Sequence, residues 1–120
     1  MSFRATLQTI VEGVEGGFGA IIMGYDGIEI DAFVRQDSGF DVQLLAVEYA
    51  TVLKEVKNTV DVLKSGALEE VTIATGRYRI LVRAVNDDFF VVLLMSSDGN
   101  YGKGRFLLKR EVPALLAGLQ

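Results

Sequence analysis

Residues 89–95 read Phe-Phe-Val-Val-Leu-Leu-Met, seven apolar side chains with no polar interruption. The run is far too short to span a bilayer. A strand that is apolar on both faces needs cover on both faces. It is therefore expected in the middle of a sheet, with helices on each side. Asn86 to Asp88 form the turn before it and Ser96 to Asn100 the loop after it.

Upstream, Glu69 to Thr75 and Tyr78 to Val85 alternate around Gly76-Arg77, the pattern of a two-residue hairpin. That register sets Val71 opposite Val82, Ile73 opposite Ile80 and Glu70 opposite Arg83. Downstream, a helix is expected from about Tyr101 to Leu119, with Pro113 kinking or restarting it near Glu111-Val112. At the other end, Phe3, Leu7, Ile10, Val11 and Val14 recur at helical spacing, with Ser2 as N-cap and Gly13, Gly16 and Gly17 ending the helix. Phe18 to Tyr25 and Ile28 to Val34 then read as two strands around Asp26-Gly27, a signal for a two-residue type I′ turn. With that turn Met23 faces Ile30, Ile21 faces Ala32, and Glu29 and Asp31 share the opposite face.

The longest pattern is a helix over Val42 to Leu63, capped by Asp41 and stopped by Gly66. At roughly 100° per residue, Leu45, Tyr49, Val52, Leu53, Val56, Val60 and Leu63 form one stripe suited to packing on a sheet. Ala46 and Ala50 widen that stripe on one flank, where another helix could approach. Leu44 and Val47 fall outside it, near Thr51, among Glu48, Glu55, Lys54 and Asn58. The helix is apolar over more of its circumference than a lone surface helix needs, which points to a partner.

The order is helix, two strands, long helix, three strands, helix, an α+β pattern in 120 residues and one domain, 1–120. Half the residues are hydrophobic, 23% are charged and the net charge is −4, so the chain is globular. A bare nucleic acid is not expected as partner, and neither is membrane insertion. The absence of Cys and His removes a thiolate nucleophile, the usual neutral-pH base and the commonest metal ligands. No signal peptide is seen at Met1-Ser2-Phe3-Arg4, and a cytoplasmic location is expected.

Candidate chemistry is thin. Gly13-x-x-Gly16-Gly17-x-Gly19 lies between helix and strand, the wrong order for a phosphate loop. Gly99-Asn100-Tyr101-Gly102-Lys103-Gly104-Arg105 precedes a helix N-terminus where anions can bind, but tight packing of the last helix explains the glycines better. Glu29 with Asp31 and Glu69 with Glu70 are the nearest acidic sets and read as solvated charges. Arg79 and Arg83 share a strand face. No catalytic, metal or cofactor site is expected.

The element order, Asp26-Gly27 after the first strand, the long amphipathic second helix, and Gly102-Lys103-Gly104-Arg105 entering the last helix together resemble the roadblock/dynein light chain family, its bacterial MglB-like members above all. The resemblance implies an α-β-β-α-β-β-β-α, profilin-like sandwich. Its five-stranded antiparallel sheet carries the long helix on one face and the terminal helices on the other. It also implies a homodimer built on the third strands and long helices, at Ala46, Ala50, Leu53, Lys57, Val71 and Ile73. It further implies a small Ras-like GTPase as partner, met at Leu44, Val47, Glu48, Thr51 and Glu55 and stimulated without an inserted catalytic residue. The alternatives are a light-chain-like scaffold or adaptor dimer and a small-molecule sensor.

Overall fold

A computed structural model describes residues 3–35 and 39–120. Ser2, expected to cap the first helix, and residues 36–38 of the loop after the second strand lie outside them. In chain order the elements are α1 (Phe3–Glu12), β1 (Gly17–Gly24), β2 (Glu29–Val34), α2 (Val42–Leu63), β3 (Glu70–Ala74), β4 (Tyr78–Ala84), β5 (Phe89–Ser96) and α3 (Tyr101–Leu119).

The strands form one antiparallel sheet in the order β2-β1-β5-β4-β3. The apolar run is the central strand, as its two-faced hydrophobicity demands. Along β5, Val91, Leu93 and Met95 join a core with Leu7, Ile10 and Val11 of α1 and Leu107, Leu108 and Leu115 of α3. Phe90, Val92 and Leu94 point the other way, into a core with Val42, Ala46, Ala50 and Leu53 of α2. This alternation is the period-two geometry of a strand read from both sides.

The β3–β4 hairpin has the expected register: Val71 pairs with Val82, Ile73 with Ile80 and Glu70 with Arg83. The first hairpin differs. Among the described residues Lys64 alone of the non-glycines has positive φ, so Asp26 does not adopt the type I′ conformation. Instead Tyr25, Asp26 and Gly27 form a three-residue loop. Gly27 N–H bonds to the Gly24 carbonyl, Gly24 N–H to the Ile28 carbonyl, and Gly27 sits at φ 87°. The Asp26 carboxylate accepts the Ile28 N–H at 3.0 Å, which stabilises this turn over the shorter one.

A bulge follows. Ile22 pairs with Asp31 but Met23 pairs with Glu29, so Ile30 is the extra residue and does not face Met23. Ile21 opposite Ala32 is as expected. The bulge also separates the two acids. Glu29 reaches Gln43 of α2 at 3.4 Å, while Asp31 keeps the alternation of Phe33, which packs on the α1 side.

Asp41 caps α2 by accepting the Leu44 N–H at 3.1 Å. The helix ends two residues before Gly66, at Lys64 in the left-handed region with φ 51°. Helix α3 runs through Pro113 without a restart. Pro113 and Lys109, whose carbonyl loses its donor, are both exposed, so water can replace the missing bond. Gly104 lets α3 lie close to the sheet: a Cβ there would stand 3.1 Å from Leu81 and Leu93. That is the packing role expected of this glycine-rich entry.

Candidate interaction surface

Helix α2 is apolar over more of its circumference than its own sheet covers. Val42, Ala46, Ala50 and Leu53 are at most 3% exposed. The buried line is therefore rotated toward the two alanines relative to the stripe expected from the sequence. Of that stripe only Leu53 is fully buried; Val52 is 50% exposed and Leu63 68%. The physical reason is that alanine lets the helix axis approach the sheet, so the small-residue flank turns inward and the larger residues are carried to the rim.

This corrects the expected self-association surface. Ala46, Ala50 and Leu53 lie beneath the helix on their own sheet and have no area to offer a second subunit. Lys57 is also placed elsewhere. Its ammonium donates to Asp61 at 2.8 Å and stands 5.8 Å from the centre of the Tyr25 ring. The Asp61 hydrogen bond raises the Lys57 pKa above its ordinary value. Val71 and Ile73 are half-buried on the α2 side of β3.

The rim of α2 near β3 is defined by Tyr49, whose hydroxyl lies 3.2 Å from that of Tyr78. That contact raises the Tyr49 pKa. Val52 and Val56, three and seven residues on, share its side of the helix. Below them runs β3, an edge strand. Thr75 N–H bonds to the Tyr78 carbonyl and Ala84 N–H to the Glu69 carbonyl. By antiparallel alternation the backbone groups of Glu70, Thr72 and Ala74 then point outward. Their side chains turn to the other face, toward α3: Thr72 Oγ1 lies 3.4 Å from the Tyr101 hydroxyl, and Glu70 binds Arg83 and Arg105. A half-exposed apolar helix flank thus adjoins an open sheet edge.

Leu44, Val47, Glu48, Thr51 and Glu55 are all exposed, on the outward side of α2. Leu44 is 56% and Val47 49% exposed, so neither belongs to the core.

The other candidate chemistry resolves into structure. Gly16 has φ +88° at the α1–β1 turn, a conformation that glycine permits. Glu70 holds two cations, Arg105 first and Arg83 second, and its carboxyl is held below the usual carboxylate range by them. The Arg83 partner was legible from the hairpin register. Arg105 was not, because it lies 35 residues away on α3. The Arg79 guanidinium is occupied by the carbonyls of Thr75 and Tyr78. Among the described residues no group of three or more acidic, His or Cys side chains is placed to hold a metal ion. No helix among them is long and apolar enough to cross a membrane.

No family model matches the chain, and no curated protein sequence does. Solved structures do. The chain is similar to MglC from Myxococcus xanthus at 37% identity, with a TM-score of 0.73, covering 98% of this chain and 99% of that one. A Roadblock/LC7 domain from Streptomyces avermitilis superposes with a TM-score of 0.85 at 10% identity, over 99% of this chain and 98% of the other. The gliding protein MglB from Thermus thermophilus gives 0.81 at 16% identity, over 94% of this chain and 84% of its own.

Proposed function

This chain belongs to the roadblock/LC7 family, and from that premise we propose that it is a homodimeric regulator of a small Ras-like GTPase. The observation that carries this reading is the excess apolar surface of α2, divided between two sides of one helix. The flank with Val52 and Val56 adjoins the open β3 edge and suits a second copy, which would continue the sheet and cover the valines together. The outward ridge with Leu44 and Val47 stays free in such a dimer and suits the GTPase.

The chain has no His or Cys. Activation would therefore come from holding the GTPase's own switch residues in the reactive arrangement, since preorganisation needs no reacting group from the regulator. An adaptor that binds without changing the rate is the alternative, and one experiment separates the two. The chain is mixed with the Ras-like GTPase that co-purifies from its source cell, and binding and GTP hydrolysis are followed in both nucleotide states. Binding with faster hydrolysis supports the activator, binding at constant rate the adaptor. No binding in either state would sink the proposal. Replacing Leu44 and Val47 by Asp should spare the dimer and weaken GTPase binding by about tenfold or more, because two apolar contacts become desolvated charges.

A further inference from the structure

The sign of the charge reverses on helix α3. Residues 101–110 hold Lys103, Arg105, Lys109 and Arg110 and no acid, four of the chain's 12 Lys and Arg, whereas the whole chain has net charge −4. All four are exposed, and Phe106 among them is 60% exposed. Gly104, Leu107, Leu108 and Leu115 form the buried side of the helix. At about 100° per residue, Phe106 then falls near the outermost line, with Lys109 on one flank and Lys103 and Arg110 on the other.

The ring is held among the cations: the Arg110 guanidinium stands 5.8 Å from its centre. Arg105 pairs with Glu70 and Arg110 with Glu111, both at the surface, where such pairs are easily exchanged for another anion. Lys103 and Lys109 have no acid at ion-pair distance among the described residues. Glu12 and Glu15, exposed at the end of α1, bound the cationic zone on the side where α1 packs on α3. The outward face of a helix is convex, so the cations flank the ring instead of walling a groove for a peptide. That shape and charge suit a flat anionic surface with an apolar layer beneath it.

We propose that this ridge docks the chain on an anionic membrane surface. Lys103, Arg105, Lys109 and Arg110 meet the lipid phosphates and carboxylates, and Phe106 enters the headgroup region between them. Attachment of this kind needs no spanning helix, because several surface cations and one immersed ring act together. Helices α1 and α3 lie on the face of the sheet opposite α2, so the docked chain presents Leu44 and Val47 away from the lipid. The ridge belongs to a single chain and is independent of the GTPase reading.

The test is co-sedimentation of the full chain with vesicles of phosphatidylcholine alone and of phosphatidylcholine mixed with phosphatidylserine. The expected result is binding to the anionic vesicles, none to the neutral ones, and release as salt is raised. Lys103→Gln combined with Lys109→Gln should weaken binding about tenfold or more, and Phe106→Ala several-fold. These positions are exposed, so unchanged unfolding curves are expected for both variants. Lys54→Gln with Lys64→Gln removes the same charge from α2 and should leave binding as it was. No binding to anionic vesicles, equal binding to neutral ones, or an equal loss in the α2 pair would each overturn the proposal. Capture of a hexaglutamate peptide without capture of vesicles would overturn it too, and would assign the ridge to an acidic protein segment.

Discussion

The two edges of the sheet are finished in opposite ways. At β2 the outward backbone groups of Ala32 are both occupied: Arg4 donates to its carbonyl at 3.2 Å and the Asp31 carboxylate accepts its N–H at 2.9 Å. The strand also carries two acids and a bulge, devices that deter pairing with another chain. At β3 the outward groups of Glu70, Thr72 and Ala74 meet no side chain among the described residues, and Val71 and Ile73 lie beneath the apolar rim of α2. One edge is partly closed by local side chains, at Ala32. The other is left as a template, which is the asymmetry a closed two-subunit assembly requires, because two open edges would allow an unending sheet.

The largest expected effect separates the covered and uncovered sides of α2. Leu53→Ala removes a fully buried side chain and should cost about 2–5 kcal/mol of unfolding free energy by denaturant titration. Val52→Ala, one residue away and half exposed, should cost the isolated chain less than about 0.5 kcal/mol. Equal losses would show that the division of the helix is misplaced. Next, Val52→Asp should leave the fold intact and weaken self-association by about two orders of magnitude, because a buried, unpaired carboxylate opposes the interface. An unchanged dissociation constant from sedimentation would remove α2 from the contact.

Glu70→Gln tests what steadies the open edge. The Glu70 pKa is lowered in the folded chain by Arg105 and Arg83. The stabilisation is therefore present above the ordinary carboxylate value of 4.5 and is lost as pH falls through the folded value. The variant should be about 1 kcal/mol less stable at neutral pH, with a flatter decline below pH 4.5. The smallest effect is expected at the closed edge. Arg4→Ala frees the Ala32 carbonyl, costs about 0.5 kcal/mol and should produce assemblies larger than the parent's at high concentration. If it does not, the Arg4 bond is not what closes the edge.

The element order, the central strand and the β3–β4 register were legible from pattern, because a strand buried on both faces has no polar alternation and the strands around Gly76-Arg77 alternate without interruption. Four features were not. The first hairpin turned on whether Asp26 adopts positive φ or uses its carboxylate on Ile28, and only tertiary geometry decides that. The rotation of α2 depended on how closely Ala46 and Ala50 let it approach the sheet. An ideal wheel weights large residues and so centred the stripe too near Val52. Arg105 on Glu70, and the Tyr25 hydroxyl, buried without a hydrogen-bond partner among the described residues, depend on contacts between distant segments that no local pattern encodes. Leu44 and Val47 were read correctly as lying outside the sheet-facing stripe, since a shift of the stripe toward the alanines does not reach them.

Sedimentation of the full chain at micromolar concentration, beside Val52→Asp, tests most directly whether the open edge and the α2 flank make a dimer. The account predicts the mass of two chains for the parent and of one folded chain for the variant. A parent that sediments as a single chain, or a variant that remains a dimer, would contradict it.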